Sequence, residues 1–169
     1  MPHAAQDTME RLFRYKAWAD DALLTALAAL DPETQAVQLA LKALSHSYAV
    51  DQIFAAHLQR KDHFYTSANP MPLPTLDTLA ADLRASDQVY IAYVAGLSPD
   101  QLAERIDFRF TDGASGRMSR EEMLLHIITH GVGHRGQISA LMLLNSLSPA
   151  KDGFTTYLHE ADGPERGRM

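Results

Sequence analysis

Four stretches of this chain place apolar residues at three- and four-residue spacing, and proline or glycine signals separate them. A chain so punctuated has little choice but to pack long amphipathic helices against one another. In residues 7–30, Leu12, Phe13, Leu23, Leu24, Leu27 and Leu30 recur at helical spacing, Asp7 or Thr8 can cap the start, and Asp31-Pro32 stops the run. Tyr15, Trp18 and Ala22 form a second apolar line there, so this helix is expected to have neighbours on more than one side. The second helix lies within residues 39–60, with Leu41, Leu44, Tyr48, Ile53, Phe54 and Leu58 inward. Asn69-Pro70-Met71-Pro72-Leu73-Pro74 cannot continue a helix, and a third follows over residues 75–95 with Gly96 as its C-cap. Ser119-Arg120-Glu121-Glu122 is a capping box that starts a fourth helix ending near Asn145 or Leu147.

Between the third and fourth helices the pattern changes. Ser98-Pro99-Asp100 starts a short helical turn, Ile106 to Phe110 alternates, and Asp112-Gly113 and Ser115-Gly116 are turn signals. A small hairpin or extended excursion is expected here. From Lys151 the tail holds at most one short helix, with Phe154, Tyr157 and Leu158 available to pack, and residues 163–169 should fray. The expected fold is therefore all-α. It is one four-helix-bundle domain over residues 1–169, with a core of about 7–147, a crossover excursion between helices three and four, and a short tail at 148–169.

Composition excludes several functions. There are no cysteines, so disulfides, thiolate metal ligands and a thiol nucleophile of the chain's own are ruled out; a metal must use His, Asp, Glu or backbone oxygen. No apolar run approaches the roughly 18 residues of a membrane span. The N-terminus does not read as a secretory signal, which makes a cytoplasmic location the expectation. Net charge is −6 with no basic stripe, which argues against nucleic acid as a partner. The charges of the first helix, Arg11, Arg14 and Lys16 among Glu10, Asp20 and Asp21, read as solvated helix faces.

The chain has 8 histidines, and their spacing matters more than their number. His126, His130 and His134 lie four apart on the fourth helix, where i and i+4 side chains sit about 5–6 Å apart on one face. Two such imidazoles can share an ion; the outer pair, about 12 Å apart along the axis, cannot easily do so. The pair is either His126 with His130 or His130 with His134. A facing helix offers His46 or His57, about 16 Å apart, and His46 is favoured because it sits in the apolar stretch. A hydrogen-bonded helix face without metal produces the same spacing. Against it stand the apolar surroundings (Leu124, Leu125, Ile127, Ile128, Val132, Ile138) and two helix-interior glycines, Gly131 and Gly133, which mark close approach to the backbone or tight helix packing.

The run from Leu125 to Ile138, ending His130-Gly131-Val132-Gly133-His134-Arg135-Gly136-Gln137, resembles the signature helix of the DinB/YfiT-like superfamily. Arg14-Tyr15-Lys16-Ala17-Trp18-Ala19-Asp20 resembles its first helix, which commonly reads Tyr, two residues, Trp-Ala-Asn. Leu44-Ser45-His46 falls where its second-helix histidine lies, and Asp112-Gly113 fits its turn before the last long helix. The resemblance covers about residues 9–147. It implies a four-helix bundle with one metal on three histidines, carried over as His46, His130 and His134. His126 then becomes a neighbour of the site. Asp20 stands where Asn is usual and Phe54 near where Trp is often found; neither is a ligand position, so both bear on substrate contacts instead.

Three neutral imidazoles leave a divalent ion with open positions, the layout of a catalytic site. Imidazole suits zinc, the first choice, and nickel, the second. The resemblance implies transfer of a low-molecular-weight thiol onto a small electrophile, in stress or detoxification. A metal-dependent hydrolase and a non-catalytic, stress-associated metal binder are the alternatives. It also implies a homodimer, for which Tyr15 and Trp18 on the second apolar face are the only sequence support. No catalytic acid or base is assigned. Asp20, Asp51, Glu121 and Arg135 are candidates by position alone, each with a structural role as the simpler reading, and Gln137 reads as a helix-face hydrogen bonder.

Overall fold

The computed structural model describes residues 4–161, 163 and 166. Most of the frayed tail expected at 163–169 lies outside them. The elements are α1 (Ala4–Ala28), α2 (Gln35–Leu58), α3 (Leu76–Ala95), α4 (Pro99–Ala103), β1 (Arg105–Arg109), β2 (Ser115–Ser119), α5 (Arg120–Leu144) and α6 (Phe154–Ala161). α1 packs most extensively on α3 and α2 on α5, and the α1–α5 and α2–α3 contacts close a four-helix bundle. No helix among the described residues is long and apolar enough to cross a membrane.

Side-chain caps set the helix starts. Thr34 accepts from the Val37 amide (3.4 Å), which starts α2 four residues before the expected residue 39. Thr75 does the same for α3 through the Thr78 amide (3.2 Å). Ser119 and Glu122 form the expected capping box: the Glu122 amide donates to Ser119 Oγ (3.1 Å), and the Ser119 amide donates to Glu122 Oε2 (2.6 Å). α1 is already helical at Ala4, so Asp7 lies inside its first turn and does not cap it. Gly96 does cap α3, but at φ −89°, which needs no glycine.

β1 and β2 form the expected hairpin, antiparallel with Ile106 opposite Met118 and Phe108 opposite Gly116. A side chain at Gly116 would collide with the Phe108 ring, 2.5 Å from the position of a Cβ. Arg120 ties the hairpin to the bundle. It donates to Glu104 Oε2 (2.9 Å), to the Leu58 carbonyl and to the Tyr93 hydroxyl. α6 packs on the second apolar line of α1, where Tyr157 joins Tyr15, Ala19 and Trp18, and the Trp18 indole donates to Glu160 (3.1 Å). The Tyr15–Trp18 face is thus covered by the chain's own tail.

The core falls into two apolar clusters. One centres on Phe13, Phe54, Leu58, Tyr90, Val94, Met123 and Ile127. The other centres on Leu23, Leu27, Leu41, Leu44, Leu83, Ile138 and Met142. A charged layer separates them. Lys16, read from sequence as a solvated residue, is 1% exposed, and its ammonium meets Asp20 (2.8 Å), Asp87 (2.7 Å) and Asp51 (2.9 Å). Asp20 is buried too, and its other oxygen accepts from Arg135 Nη1 (2.9 Å). Arg135 goes on to Asp152 (3.0 and 3.1 Å), which also accepts from the Tyr15 hydroxyl (2.6 Å). The solvated reading holds for Arg11, Arg14 and Asp21, which are exposed, and fails for Lys16 and Asp20, which lie on the apolar stripe of α1, where water is excluded and only opposite charge can replace hydration.

Two cations face four carboxylates here, and the layer adjusts by holding protons. Burial would lower the Lys16 pKa, but Asp20, Asp51 and Asp87 outweigh it and keep the ammonium well above its ordinary range. Burial would raise Asp20, but Lys16 and Arg135 bring it below the ordinary value. Burial raises Asp51, whose oxygens lie near Lys16 without hydrogen-bond alignment to any described group. Burial pushes Asp87 up to about 7, with Lys16 only partly opposing it.

Candidate metal centre

The centre lies at the level of the charged layer, where α2 crosses α5. His46 sits on α2 between Leu44 and Asp51; His130 and His134 sit on α5 between Ile128 and Ile138. The structure brings these three side chains together. His130 Nε2 lies 3.2 Å from His46 Nε2 and 3.1 Å from His134 Nε2. Three nitrogens at about 2.0–2.1 Å from one tetrahedral ion stand roughly 3.3 Å apart; the two separations from His130 match this, and all three atoms lie within 4.8 Å of one another.

The outer hydrogen bonds decide which way the rings are protonated. His46 Nδ1 faces the Ala68 carbonyl (2.9 Å), which can only accept, so this nitrogen carries the proton. His134 Nδ1 likewise donates to Gln137 Oε1 (3.1 Å). Both rings then aim an Nε2 lone pair at the same point. Without a metal, the Nε2–H of a neutral His130 can donate into these lone pairs; an ion at that point would take the place of this proton. His130 Nδ1 is buried without a hydrogen-bond partner among the described residues. Burial first, then the neighbouring His134 and His46, pushes the His130 pKa down to about 4. Burial also lowers His134. Both rings are therefore neutral at pH 7, the form that binds metal. The cluster can hold a metal ion.

His126 and His57 are not part of this cluster. His126 lies one turn before His130, with its ring 4.8 Å from that of Phe54, and His57 lies beside Phe108 at 4.8 Å. The surroundings are less apolar than expected, since Leu125 and Val132 face outward. The glycines do not serve the centre. A Cβ at Gly131 would meet Arg135 Nη1 at 3.4 Å and Lys16 Cε at 3.6 Å, ordinary contact distances, and Gly133 faces open space, so neither position needs glycine for room.

A cleft of about 490 Å³ opens on the cluster, lined by His46 and His134 with Lys42, Asn69, Gln137 and a rim of Leu39, Ala43 and Leu141. Asp20, Asp51, Glu121 and Arg135, the acid–base candidates of the sequence, do not line it. Arg135 is a buried ion-pair residue, not a surface one. Three contributors carried no sequence signal: Lys42 and Asn69, which line the cleft, and Ala68, which acts through its backbone.

Comparison with known proteins follows this geometry. The profile of the DinB family matches residues 1–166. This chain belongs to the DinB family. The chain is also similar to the crystal structure of a DinB-like protein from Bacillus cereus, with a TM-score of 0.57 and 20% sequence identity over 82% of this chain and 91% of that one. At that identity the likeness shows the helical DinB-like fold with its small hairpin between helices. No curated protein matches the chain.

Proposed function

We propose that His46, His130 and His134 hold one divalent transition metal, zinc first and nickel second, and that this DinB-family protein transfers a low-molecular-weight thiol onto a small electrophile. The observation that carries the reading is the convergence of three imidazole nitrogens on one point beside an open cleft. A divalent ion there would supply Lewis acidity and lower the pKa of a coordinated thiol or water. The chain's residues do the rest. His46 and His134 are held in one tautomer by Ala68 and Gln137, and Lys42 offers a cation to an acidic group on the incoming thiol. In the transfer, the S–C bond forms as the bond from carbon to its leaving group breaks, and the thiol proton departs with the leaving group.

No carboxylate among the described residues lines the cleft. Without one, proton loss falls to the metal's acidity alone, a smaller demand for a thiol, with an ordinary pKa of about 8.5, than for water at about 15.7. This favours transfer over hydrolysis; a non-catalytic metal binder is the remaining reading. A homodimer, part of the same proposal, would need a surface other than the Tyr15–Trp18 face that α6 covers.

The test is direct. Metal-loaded protein is incubated with common cellular thiols and a generic electrophile, and thioether formation is followed. A metal-dependent rate with at least one thiol is expected. Metal uptake with no such rate for any thiol would sink the transferase reading. Gln137→Leu removes the acceptor that orients His134, and metal affinity in a chelator competition should fall about 10–100-fold. Unchanged affinity would mean that Gln137 does not set that tautomer.

A further inference from the structure

A second cavity, of about 320 Å³, lies on the other side of the cluster: His126 lines it, with its ring 5.4 Å from that of His130. Along α2 the cleft takes residues Leu39 to His46, and the cavity takes Val50, Ile53, Phe54 and His57. Along α5 the cleft takes His134 to Leu141, while the cavity takes His126, with Met118 of β2 beside it. Ala68 and Asn69 are adjacent in the chain; Ala68 walls the cavity and Asn69 the cleft. Ala68, whose carbonyl meets His46, and His126, beside His130, place the cavity next to the cluster on which the cleft opens, and the two chambers differ in chemistry.

The cleft presents a lysine and two amides. Among the described residues, the cavity presents no charged side chain of Lys, Arg, Asp or Glu. Its walls are aliphatic and aromatic, and its polar side chains are His57, His126 and Thr111. Neither imidazole hydrogen-bonds another described residue, and His57 is only 9% exposed. Their ring nitrogens are not sealed from solvent, so each can offer a hydrogen bond to a guest without breaking one inside the protein. The Phe54 ring stands edge-on to His57 (5.8 Å, 79°) and tilted to His126 (4.8 Å, 38°), so aromatic surface meets a guest from more than one direction. A charged ligand would lose its hydration here without an opposite charge, and a neutral ring would not.

We propose that this cavity binds a neutral, ring-sized apolar organic molecule bearing one hydrogen-bonding group, and presents it to the three-histidine centre. Calling that molecule the electrophilic substrate rests on the function proposed above; its binding does not. The cavity's volume is at the lower end for small-molecule sites, which run from about 300 to 1,000 Å³.

The experiment uses the full chain, metal-free and cobalt-loaded, with the neutral fluorophore phenylnaphthylamine and its charged relative anilinonaphthalene sulfonate. The neutral probe should bind the metal-free protein at one equivalent with blue-shifted emission, and the sulfonate roughly tenfold or more weaker. Ile53→Trp fills the cavity and should weaken the neutral probe roughly tenfold or more. Because that change can disturb the core, Phe110→Ala is the companion variant. Phe110 lines the cavity yet is 46% exposed, so its loss opens the wall, spares the core and should weaken the probe several-fold. Equal binding of the two probes, or wild-type affinity in both variants, would overturn the proposal. Saturating probe should shift the visible spectrum of the cobalt protein, and a silent spectrum would overturn presentation to the centre. If no metal is taken up at all, the metal-binding reading fails, while the metal-free fluorescence still decides the cavity.

Discussion

Lys16→Met should destabilise the protein by about 3–5 kcal/mol, because it leaves three buried carboxylates without their shared cation. For a chain of this size that corresponds to a fall in Tm of roughly 6–20 °C. Methionine keeps most of the side-chain volume, so little of the loss would come from a cavity. The deficit should also grow with pH. In the wild type, Asp87 has its pKa raised from 3.8 to about 7 on folding. The folded state holds that proton after the unfolded chain has lost it, so this contribution is complete below about 3.8 and disappears as pH rises through about 7. Asp20, whose pKa is lowered, runs the other way: its contribution is present above its ordinary pKa and lost in acid. Without Lys16, Asp20 keeps Arg135, but Asp51 and Asp87 can stay buried only by taking up protons, which is easy at pH 5 and costly at pH 8. Denaturant unfolding of both proteins at these two pH values checks the claim. A deficit that shrinks toward pH 8 would contradict it.

His130→Ala should abolish metal uptake, while His126→Ala should leave it intact. His130 is the shared member of the cluster, with its Nε2 3.2 and 3.1 Å from the other two ring nitrogens. Removing it leaves His46 and His134 with no third nitrogen. The metal-free variant should nonetheless fold about as well as the wild type. The buried, unpartnered Nδ1 of His130 carries a penalty of about 1–3 kcal/mol, and its loss offsets the packing lost with the ring. Elemental analysis of protein purified without a metal-affinity tag, with calorimetric titration and thermal melts, separates the two effects. If His126→Ala is the more damaging change, the cluster of ligands has been misassigned.

The long helices and the hairpin were legible because both depend on periodicity and local turn chemistry. Leu23, Leu27 and their counterparts recur at helical spacing, and Asp112-Gly113 marks the reversal between Ile106 and Met118. Histidine spacing reduced the candidates without choosing among them. What separates His134 from His126 is where α2 crosses α5, and no single helix encodes a crossing point. The charged layer was misread for a related reason. Phe13, Lys16, Asp20, Leu23 and Leu27 form one stripe, as do Leu83, Asp87, Tyr90 and Val94. The charges were in plain view on those stripes. A lone charged residue is rarely buried, and the partners that make burial tolerable come from other helices and, for Asp152, from the tail.

That layer also acts as an index mark for the bundle. Two oily clusters would still pack if one helix slid past its neighbour by a turn, about 5.4 Å, because leucine against leucine is forgiving. Lys16 is not forgiving: after such a slip its ammonium would face hydrocarbon, and Asp51 and Asp87 would be left without it. Charge thereby keeps the helices in phase. The separations among His46, His130 and His134 are set by the same alignment, so residues that touch no metal act as the gauge for those that can.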